Sequence, residues 1–295
     1  MRDISREISH YTRKFQKTCP TFDPVSLCSR QGGCACAKAG EIYGLIHGII
    51  KPEYRNATIS WFTGTVPGEN KKSSDESGSK EELCIRVQKI LSAYMYGDSK
   101  NILKNPELKM GKDQYGRSIY NRKVLDAESR MDQRFENGES VVIHGEPYRL
   151  LKSERASFVA SKVQQGKTLL ASILMMEAIH RKAFKSNKAS TFEWISFLQL
   201  RQKLKDTSED NDIDDFQTAD WLVIDDIDLI IRNGISKADL WTREMFDSFL
   251  IERIEKRRPT ILVCEFDITK ESLKDKMGAA FEKIATSSST TIVKV

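Results

Sequence analysis

Apolar positions follow two kinds of pattern from about residue 124 onward. Short apolar runs alternate with longer segments in which apolar residues recur at helical spacing. Alternating strands and helices predict a mostly parallel sheet with helices on both faces, and therefore an α/β fold. The predicted strands are 140–145, 156–161, 190–197, 219–230, 259–266 and 289–295, and the predicted helices are 167–184, 198–206, 243–258 and 270–284.

The first 123 residues are patterned less regularly. Apolar spacing predicts helices at 41–50 and 83–96, whereas the Gly, Ser and charged residues of 66–82 predict a flexible linker. Scattered Gly, Asn, Pro and Lys residues predict an irregular basic insertion at 97–123. The predicted domains are a cysteine-rich segment at 1–48, a connector at 49–123 and the α/β domain at 124–295.

Composition restricts the class of protein only mildly. Of the 295 residues, 39% are hydrophobic and 30% charged, which allows a core beneath a polar surface. The sequence has no apolar run of about 18 residues, and its start has no apolar signal core, so we expect a cytoplasmic protein without a membrane partner. The net charge of +5 fits a nucleic-acid partner and an ordinary enzyme equally well.

Cysteines are concentrated near the beginning of the sequence. Zinc takes about four thiolate or imidazole ligands, and a metal can replace a core in a small segment. We therefore expect a structural zinc site, with free thiols or an iron–sulfur cluster as alternatives and His10 as a further candidate ligand. Two other cysteines, Cys84 and Cys264, have apolar neighbours typical of a core. The predicted zinc ligands are Cys19, Cys28, Cys34 and Cys36.

A phosphate-binding motif precedes the predicted helix at 167–184. Gly166, Lys167 and Thr168 match the end of the pattern G-x-x-x-x-G-K-[ST], although Ser161 stands where its first glycine belongs. The backbone N–H groups of such a loop bind phosphate oxygens, the lysine reaches the β and γ phosphates, and the hydroxyl holds Mg²⁺. The motif therefore predicts a site for ATP and Mg²⁺.

Two strands are candidates for the one that leads into this loop. If the strand at 156–161 does so, Ser161 replaces the first glycine. If the strand at 140–145 does so, Gly145 is the first glycine and an insertion separates it from Gly166. Both interpretations keep the same phosphate-binding residues.

An acidic pair ends the apolar run at 219–230. A strand that ends beside the loop would place Asp225 on the Mg²⁺ side of Thr168 and Asp226 near an attacking water. Solvated acids that cap a buried strand are the simpler alternative. Because both halves of the motif occur in the right order and context, we expect a P-loop NTPase fold.

The order of these motifs resembles that of bacterial replicative-helicase loaders of the DnaC/DnaI type. These are AAA+ ATPases related to the IstB transposition helpers, and the resemblance covers most of 1–62 and 134–284. It implies an AAA+ fold with a small N-terminal zinc-binding domain, which agrees with the cysteine cluster. The segments that carry the resemblance are "IKPEYRNATI", "RFENGESVVIHG", "GKTLLASI", "TFEWISFLQLRQKLKD", "WLVIDDID" and "FLIERIEKRRPTIL".

Two positions depart from the family pattern. Where the family has the sensor 1 asparagine, this chain has Glu265, which could orient water as a catalytic residue with Asp226 but would repel the γ-phosphate. The family's arginines that act across subunits have no counterpart, since no arginine follows Arg258 and only Lys283 lies near their place. We therefore expect weak ATPase activity at most.

The resemblance implies an ATP-dependent loader in DNA replication initiation. Its partners would be a hexameric replicative helicase, contacted through the N-terminal segment, and single-stranded DNA, with assembly into an open ring or spiral. Phe197, Lys203 and Lys205 follow the second strand, where the family would contact DNA, although a core aromatic and a solvated helix face explain them equally well. The alternatives are an IstB-like transposition ATPase and a hydrolysis-deficient AAA+ adaptor, and the departures suggest a phage or mobile element.

Overall fold

A computed structural model describes nine segments of the 295-residue chain. The predicted helix at 83–96, the predicted linker at 66–82 and the predicted strand at 156–161 lie outside them. Among the described helices, none is both long and apolar enough to cross a membrane. The described residues are 4–16, 35–57, 109–112, 118–120, 137–145, 165–185, 191–206, 212–231 and 236–295.

A five-stranded sheet forms the centre of the molecule. Its strands lie in the order β4-β5-β6-β3-β7, and each neighbouring pair is parallel. The first of its strands in the sequence, β3, therefore lies between two strands that come much later. These strands are β3 (Val141–His144), β4 (Phe192–Ser196), β5 (Trp221–Ile227), β6 (Thr260–Cys264) and β7 (Thr291–Lys294).

Helices connect the strands and also form an N-terminal pair. The two N-terminal helices, α1 and α2, pack against each other, and α2 also packs against α3. Short 3-10 turns occur at Pro52–Tyr54 and Ile268–Lys270. The described helices are α1 (Ile4–Gln16), α2 (Ala35–Ile49), α3 (Gln165–Lys185), α4 (Phe197–Lys205), α5 (Ile213–Thr218), α6 (Lys237–Glu255), α7 (Leu273–Lys276) and α8 (Ala279–Thr286).

The two faces of the sheet bury separate apolar clusters. In β3, the side chains of Val141 and Ile143 join a cluster with residues of α2 and α3, whereas Val142 joins a cluster with residues of α4, α6 and α8. Successive strand residues point to opposite faces, and because both faces are covered, the strands read as continuous apolar runs. The predicted parallel α/β sheet is confirmed.

Local sequence signals explain where two of the helices begin. At the end of β4, the Ser196 hydroxyl accepts a hydrogen bond from the backbone N–H of Gln199, and the Gln199 side chain accepts one from the Ser196 N–H. This capping box starts α4 directly after the strand. Ser236 caps α6 in a similar way by accepting from the Asp239 N–H.

The structure differs from the predicted secondary structure in several places. The basic insertion contains an antiparallel pair of strands, β1 (Lys109–Lys112) and β2 (Ser118–Tyr120), and α5 was not predicted. Helix α6 begins several residues before the predicted 243. The predicted helix at 270–284 is two helices, because Gly278 between them has a φ of 115°, which glycine adopts far more readily than other residues.

The N-terminal helices share a core with the sheet. Ile42, Ile46 and Ile50 are buried in the same cluster as residues of α3 and β3. Helix α2 therefore crosses the predicted boundary at residue 48 and packs against the α/β domain. The predicted domain limits stay predictions.

Candidate nucleotide-binding site

The candidate site lies at the carboxyl edge of the parallel sheet. Gly145 follows β3, Asp225 lies near the end of β5, and Cys264 ends β6. Parallel α/β sheets bind ligands at this edge, because loops and helix N-termini converge there. Helix α3 begins at the same edge with Gly166, Lys167 and Thr168 in its first turn. Its unpaired N–H groups and dipole favour an anion.

The ammonium group of Lys167 is buried and fully hydrogen-bonded. It donates to the carbonyl oxygen of Gly145 at 3.1 Å and to that of Cys264 at 3.0 Å. The third bond goes to Oε2 of Glu265 at 2.9 Å, which is an ion pair. An ammonium group has three N–H donors, so every donor of Lys167 is used.

Thr168, in the first turn of α3, is hydrogen-bonded to Asp225. The Thr168 hydroxyl donates to Oδ1 of Asp225 at 3.2 Å, and the backbone N–H of Asp226 donates to the same oxygen at 3.1 Å. Asp225 is 1% exposed, and within the described part of the chain its Oδ2 atom has no hydrogen-bond partner. The Nζ atom of Lys51 lies 3.6 Å from that oxygen.

The environment of Asp225 suits a divalent cation. Burial raises the pKa of Asp225 to about 6, and Asp226 adds to the rise, while Lys51 and the hydrogen bonds from Asp226 and Thr168 oppose it. A buried carboxylate oxygen without a donor, beside a hydroxyl, is the set of oxygen ligands that Mg²⁺ prefers. The residues therefore fit the predicted Mg²⁺ site.

Asp226 occupies an unusual position at the end of β5. Its φ is 57°, in the left-handed region, and the pairing of β5 with β6 is irregular between Ile224 and Ile227. Its side chain is exposed, whereas Asp225 next to it is buried. The irregular backbone thus separates two adjacent acids into one that faces the interior and one that faces solvent.

One of the two candidates for the first glycine, Gly145, lies beside Lys167. Strand β3 lies in the sheet and ends immediately before Gly145, whose carbonyl oxygen contacts Lys167. A Cβ atom on Gly145 would lie 2.2 Å from the carbonyl oxygen of Val295, so only glycine fits this close approach. The competing strand at 156–161, with Ser161, lies outside the described residues.

Comparison with solved structures finds a helicase loader among the similar folds. The crystal structure of the DnaC helicase loader has a TM-score of 0.40 and 14% identity, over 83% of this chain and 100% of that chain. A crystal structure of DnaI has a TM-score of 0.35 and 15% identity, over 59% and 82%. A Streptococcus pyogenes serotype M3 protein assigned as a primosome component has a TM-score of 0.36 and 14% identity, over 59% and 80%.

These likenesses are distant. No family model and no curated protein sequence matches the chain. The similar structures have identities of 14–15% and TM-scores below 0.5, so they assign no function to this chain.

Two residues near the site were not predicted to belong to it. Lys51 lies in the segment between α2 and the 3-10 turn Pro52–Tyr54, and Tyr54 is buried close enough to Asp225 for the acid to affect its ionisation. Burial, followed by Glu53 and Asp225, raises the pKa of Tyr54 to about 12. The sequence "IKPEYR" was recognised only as a family segment, and no local pattern pairs Lys51 with an acid so distant in sequence.

His144, the last residue of β3, is buried next to Asp267. It is 1% exposed, and its Nδ1 atom lies 3.4 Å from Oδ1 of Asp267. Burial lowers the pKa of His144, against the opposing effect of Asp267. Asp267 also accepts hydrogen bonds from Lys294 and Thr269, which hold its pKa below the usual range although burial acts the other way. This cluster joins β7 to the loop after β6.

The predicted zinc site falls mainly outside the described residues. Cys19, Cys28 and Cys34 lie there, and Cys36 is in α2, where its side chain is not described. Within the described segments, no group of three or more His, Cys, Asp or Glu side chains could hold a metal ion. The zinc site stays a prediction. Cys264 is a buried free thiol, as expected for a core cysteine.

Two of the three candidate DNA-contacting residues of α4, Phe197 and Lys203, have other contacts. Phe197 is 3% exposed and packs against Phe246 in the core, so its ring is not available to stack on a base in this conformation. Lys203 forms an ion pair with Asp212 and lies over the ring of Phe216. The core interpretation of Phe197 is the one that the structure supports.

Proposed function

We propose that the chain is an ATP-dependent loader of a replicative DNA helicase, with a P-loop ATPase domain of the AAA+ class as its switch. One observation carries the nucleotide-binding part of this proposal. Thr168, in the first turn of a long helix, donates to Asp225, and the neighbouring Lys167 donates to the carbonyl oxygen of Cys264 at the same carboxyl edge of a parallel sheet. This arrangement supports phosphate and metal binding at one place.

Each residue of the site has a role that follows from its chemistry. Lys167 would bind the β and γ phosphates together with the N–H groups at Gly166, and Gly145 would form the other end of the loop. Thr168 and Asp225 would hold Mg²⁺, which neutralises phosphate charge when it is bound. Asp226, which faces solvent beside them, is the residue best placed to orient a water.

The helicase partner rests on the family resemblance of the sequence. In this proposal the chain binds a hexameric replicative helicase through its N-terminal zinc segment and places it on single-stranded DNA. ATP binding would change the affinity of the chain for the helicase, because phosphate and metal contacts order neighbouring segments.

A hydrolysis-deficient adaptor is the second candidate function. It is favoured by the bond between Glu265 and Lys167, and by the absence of any arginine after Arg258 in the sequence. An acid beside the phosphate-binding lysine opposes the charge that develops on the phosphates. The adaptor would hold the helicase without turnover.

Capture of the helicase with and without nucleotide tests both candidates. The full chain is immobilised and incubated with the replicative helicase of its host in the presence of ATP, ADP or no nucleotide. Single-stranded circular DNA then reports whether the captured helicase is transferred. The variant is Lys167→Met, and the matched control is Lys274→Met at an exposed lysine of α7.

The outcomes separate the candidates. ATP-dependent capture and transfer that Lys167→Met abolishes and Lys274→Met retains would support a loader. Capture that ignores both nucleotide and Lys167→Met would support an adaptor. No capture of the helicase under any condition, with retention on duplex DNA instead, would overturn the proposal in favour of a transposition ATPase.

A further inference from the structure

Two charged side chains of the chain itself lie in the candidate site, the carboxylate of Glu265 and the ammonium group of Lys51. Of the three acceptors of Lys167, two are backbone carbonyls and the third is the side chain of Glu265. The Glu265 side chain is 16% exposed and borders solvent, so it can rotate away without moving the sheet. Its carboxylate occupies one of the acceptor positions around Lys167 that an oxygen of a phosphate group could take.

The cation side has a corresponding arrangement. Lys51 places its ammonium group 3.6 Å from the buried Oδ2 of Asp225, which has no hydrogen-bond partner among the described residues. The Lys51 side chain is 48% exposed, so it too can leave. A buried carboxylate without a counter-charge is costly, and Lys51 reduces that cost when no metal is bound.

We propose that Glu265 and Lys51 are internal substitutes for the phosphate and the divalent cation, and that they close the resting site until a metal–nucleotide complex displaces both. This inference rests on the proposed nucleotide site. Glu265 and a phosphate group are both anionic and compete for Lys167, while Lys51 and a divalent cation compete for Asp225. Each internal contact therefore lowers the apparent affinity for one part of the ligand.

The position of Lys51 also connects the metal side of the site to the N-terminal helices. Lys51 follows Ile50, which is buried in the cluster that contains α2. Arg55, at the other end of the turn, donates hydrogen bonds to the carbonyl oxygens of His47 and Ile50. The turn that carries Lys51 is thus tied to the end of α2, and displacement of Lys51 would act on the helix pair.

Two simpler roles for these residues predict opposite results. If Glu265 only orients a water, its replacement slows hydrolysis and leaves ATP affinity unchanged. If Lys51 is itself a phosphate ligand, its loss weakens ATP binding. The internal-substitute model predicts tighter ATP binding for Glu265→Gln and a lower Mg²⁺ requirement for Lys51→Met, so the direction of each change is decisive.

Isothermal titration of the full chain with ATP is the test. It compares wild type with Glu265→Gln and Lys51→Met, in EDTA and across a series of Mg²⁺ concentrations. The matched controls are Glu255→Gln and Lys274→Met, which change exposed residues of the same types. Thermal unfolding without ligand checks that each variant is folded, and Glu265→Ala serves as a second variant at that position.

The two variants should differ in the condition under which they gain affinity. Glu265→Gln should bind ATP about tenfold tighter both in EDTA and with Mg²⁺, because the competing anion is gone. Lys51→Met should leave affinity in EDTA unchanged and lower the Mg²⁺ concentration needed for half-maximal binding by about threefold to tenfold. Detectable binding in Glu265→Gln alone would also support the inference.

Other outcomes overturn it in distinguishable ways. If the wild type binds ATP and Glu265→Gln and Glu265→Ala bind no tighter, the anionic substitute is wrong while the nucleotide site stands. If Lys51→Met weakens ATP binding, the cationic substitute is wrong. If no folded variant binds ATP in any condition, the proposed nucleotide site fails together with this inference.

Discussion

Two buried cations lie at opposite ends of the sheet and are neutralised in different ways. Lys167, at the carboxyl edge, is bound by two carbonyl oxygens and one mobile carboxylate. Arg253, in α6, lies near the starts of β5 and β6 and is 1% exposed. Its acceptors in the described part of the chain are the carbonyl oxygens of Phe216, Gln217, Ala219 and Pro259 and the hydroxyl of Thr260.

Arg253 therefore has a structural role, whereas Lys167 can exchange one of its acceptors for a ligand. Burial, followed by the neighbouring Arg258, lowers the pKa of Arg253, but its donors are satisfied by four backbone carbonyls and the buried Thr260 hydroxyl, none of which can leave without local unfolding. The acceptor Glu265 of Lys167 can leave by a side-chain rotation. We infer that the start of the sheet is fixed by Arg253 and that its carboxyl edge is built for exchange.

Arg253→Met should have the largest effect on stability. It leaves several buried carbonyl oxygens without donors, so we expect the free energy of unfolding to fall by about 3–5 kcal/mol. Urea unfolding followed by circular dichroism measures the change. Lys256→Met, which removes an exposed cation three residues further on, should stay within about 0.5 kcal/mol of wild type. A loss below about 1 kcal/mol for Arg253→Met would show that the arginine does not fix this end of the sheet.

Lys167→Met should affect ligand binding far more than folding. Loss of the charge-assisted hydrogen bonds to phosphate should weaken ATP binding by about 30- to 100-fold. The partly exposed Glu265 can turn toward solvent, so unfolding should change by about 1 kcal/mol or less. Calorimetric titration and urea unfolding on the same samples give both numbers. An unchanged ATP affinity would remove Lys167 from the site.

Gly145→Ala tests how closely the loop and the C-terminal strand approach each other. The added Cβ would lie 2.2 Å from the carbonyl oxygen of Val295, so the backbone must shift. We expect a loss of about 1–3 kcal/mol in the free energy of unfolding, together with weaker ATP binding. Thermal and urea unfolding measure the loss, and a stability equal to that of wild type would contradict the close approach.

Glu193→Gln should have the smallest effect and should depend on pH. Burial raises the pKa of Glu193 from 4.5 to about 7, and Asp215 and Asp212 add to the rise. The folded state therefore keeps a proton that the unfolded state releases, so wild-type stability falls as pH rises from about 4.5 to about 7. The amide of Glu193→Gln does not ionise, so the stability of the variant should not fall for this reason as pH rises.

The measurement is urea unfolding of Glu193→Gln and wild type at several pH values. The two should be nearly equal at low pH, and the variant should be more stable above neutral pH, on the order of 1 kcal/mol after allowance for partial exposure. Glu244→Gln, at an exposed position of α6, is the control. A difference between variant and wild type that does not change with pH would show that Glu193 is charged in both states.

Much of the sheet could be predicted from the sequence because its strands are short apolar runs separated by helical spacing. The apolar run before Asp225 and the motif at Lys167 each have local signatures, so their meeting at one edge followed from parallel topology. Helix α5, in contrast, is six residues long and mostly polar, and no periodicity of that length is distinctive.

The remaining features depend on contacts between distant residues. Nothing in the residues around Arg253 indicates that five acceptors from two separate segments, 216–219 and 259–260, surround it. Likewise, Glu265 was predicted to act on water, and only the fold brings it to Lys167. The strand that leads into the loop was ambiguous because both candidates are apolar. Strand β3 pairs within the sheet, whereas 156–161 lies outside the described residues, so the assignment of Gly145 as the first glycine stays a prediction.

The position of β3 between two strands that come much later in the sequence has a consequence for how the protein is made. Its partners β6 and β7 come near the end of the sequence, so on the ribosome β3 emerges long before either can pair with it. Pairing between strands so distant in sequence is slow and leaves apolar edges exposed in the meantime. A fragment that stops before β6 would have Lys167 and Asp225 but no strand to hold Gly145 beside them. The ability to bind a nucleotide would thus be acquired only after β6 and β7 have been synthesised.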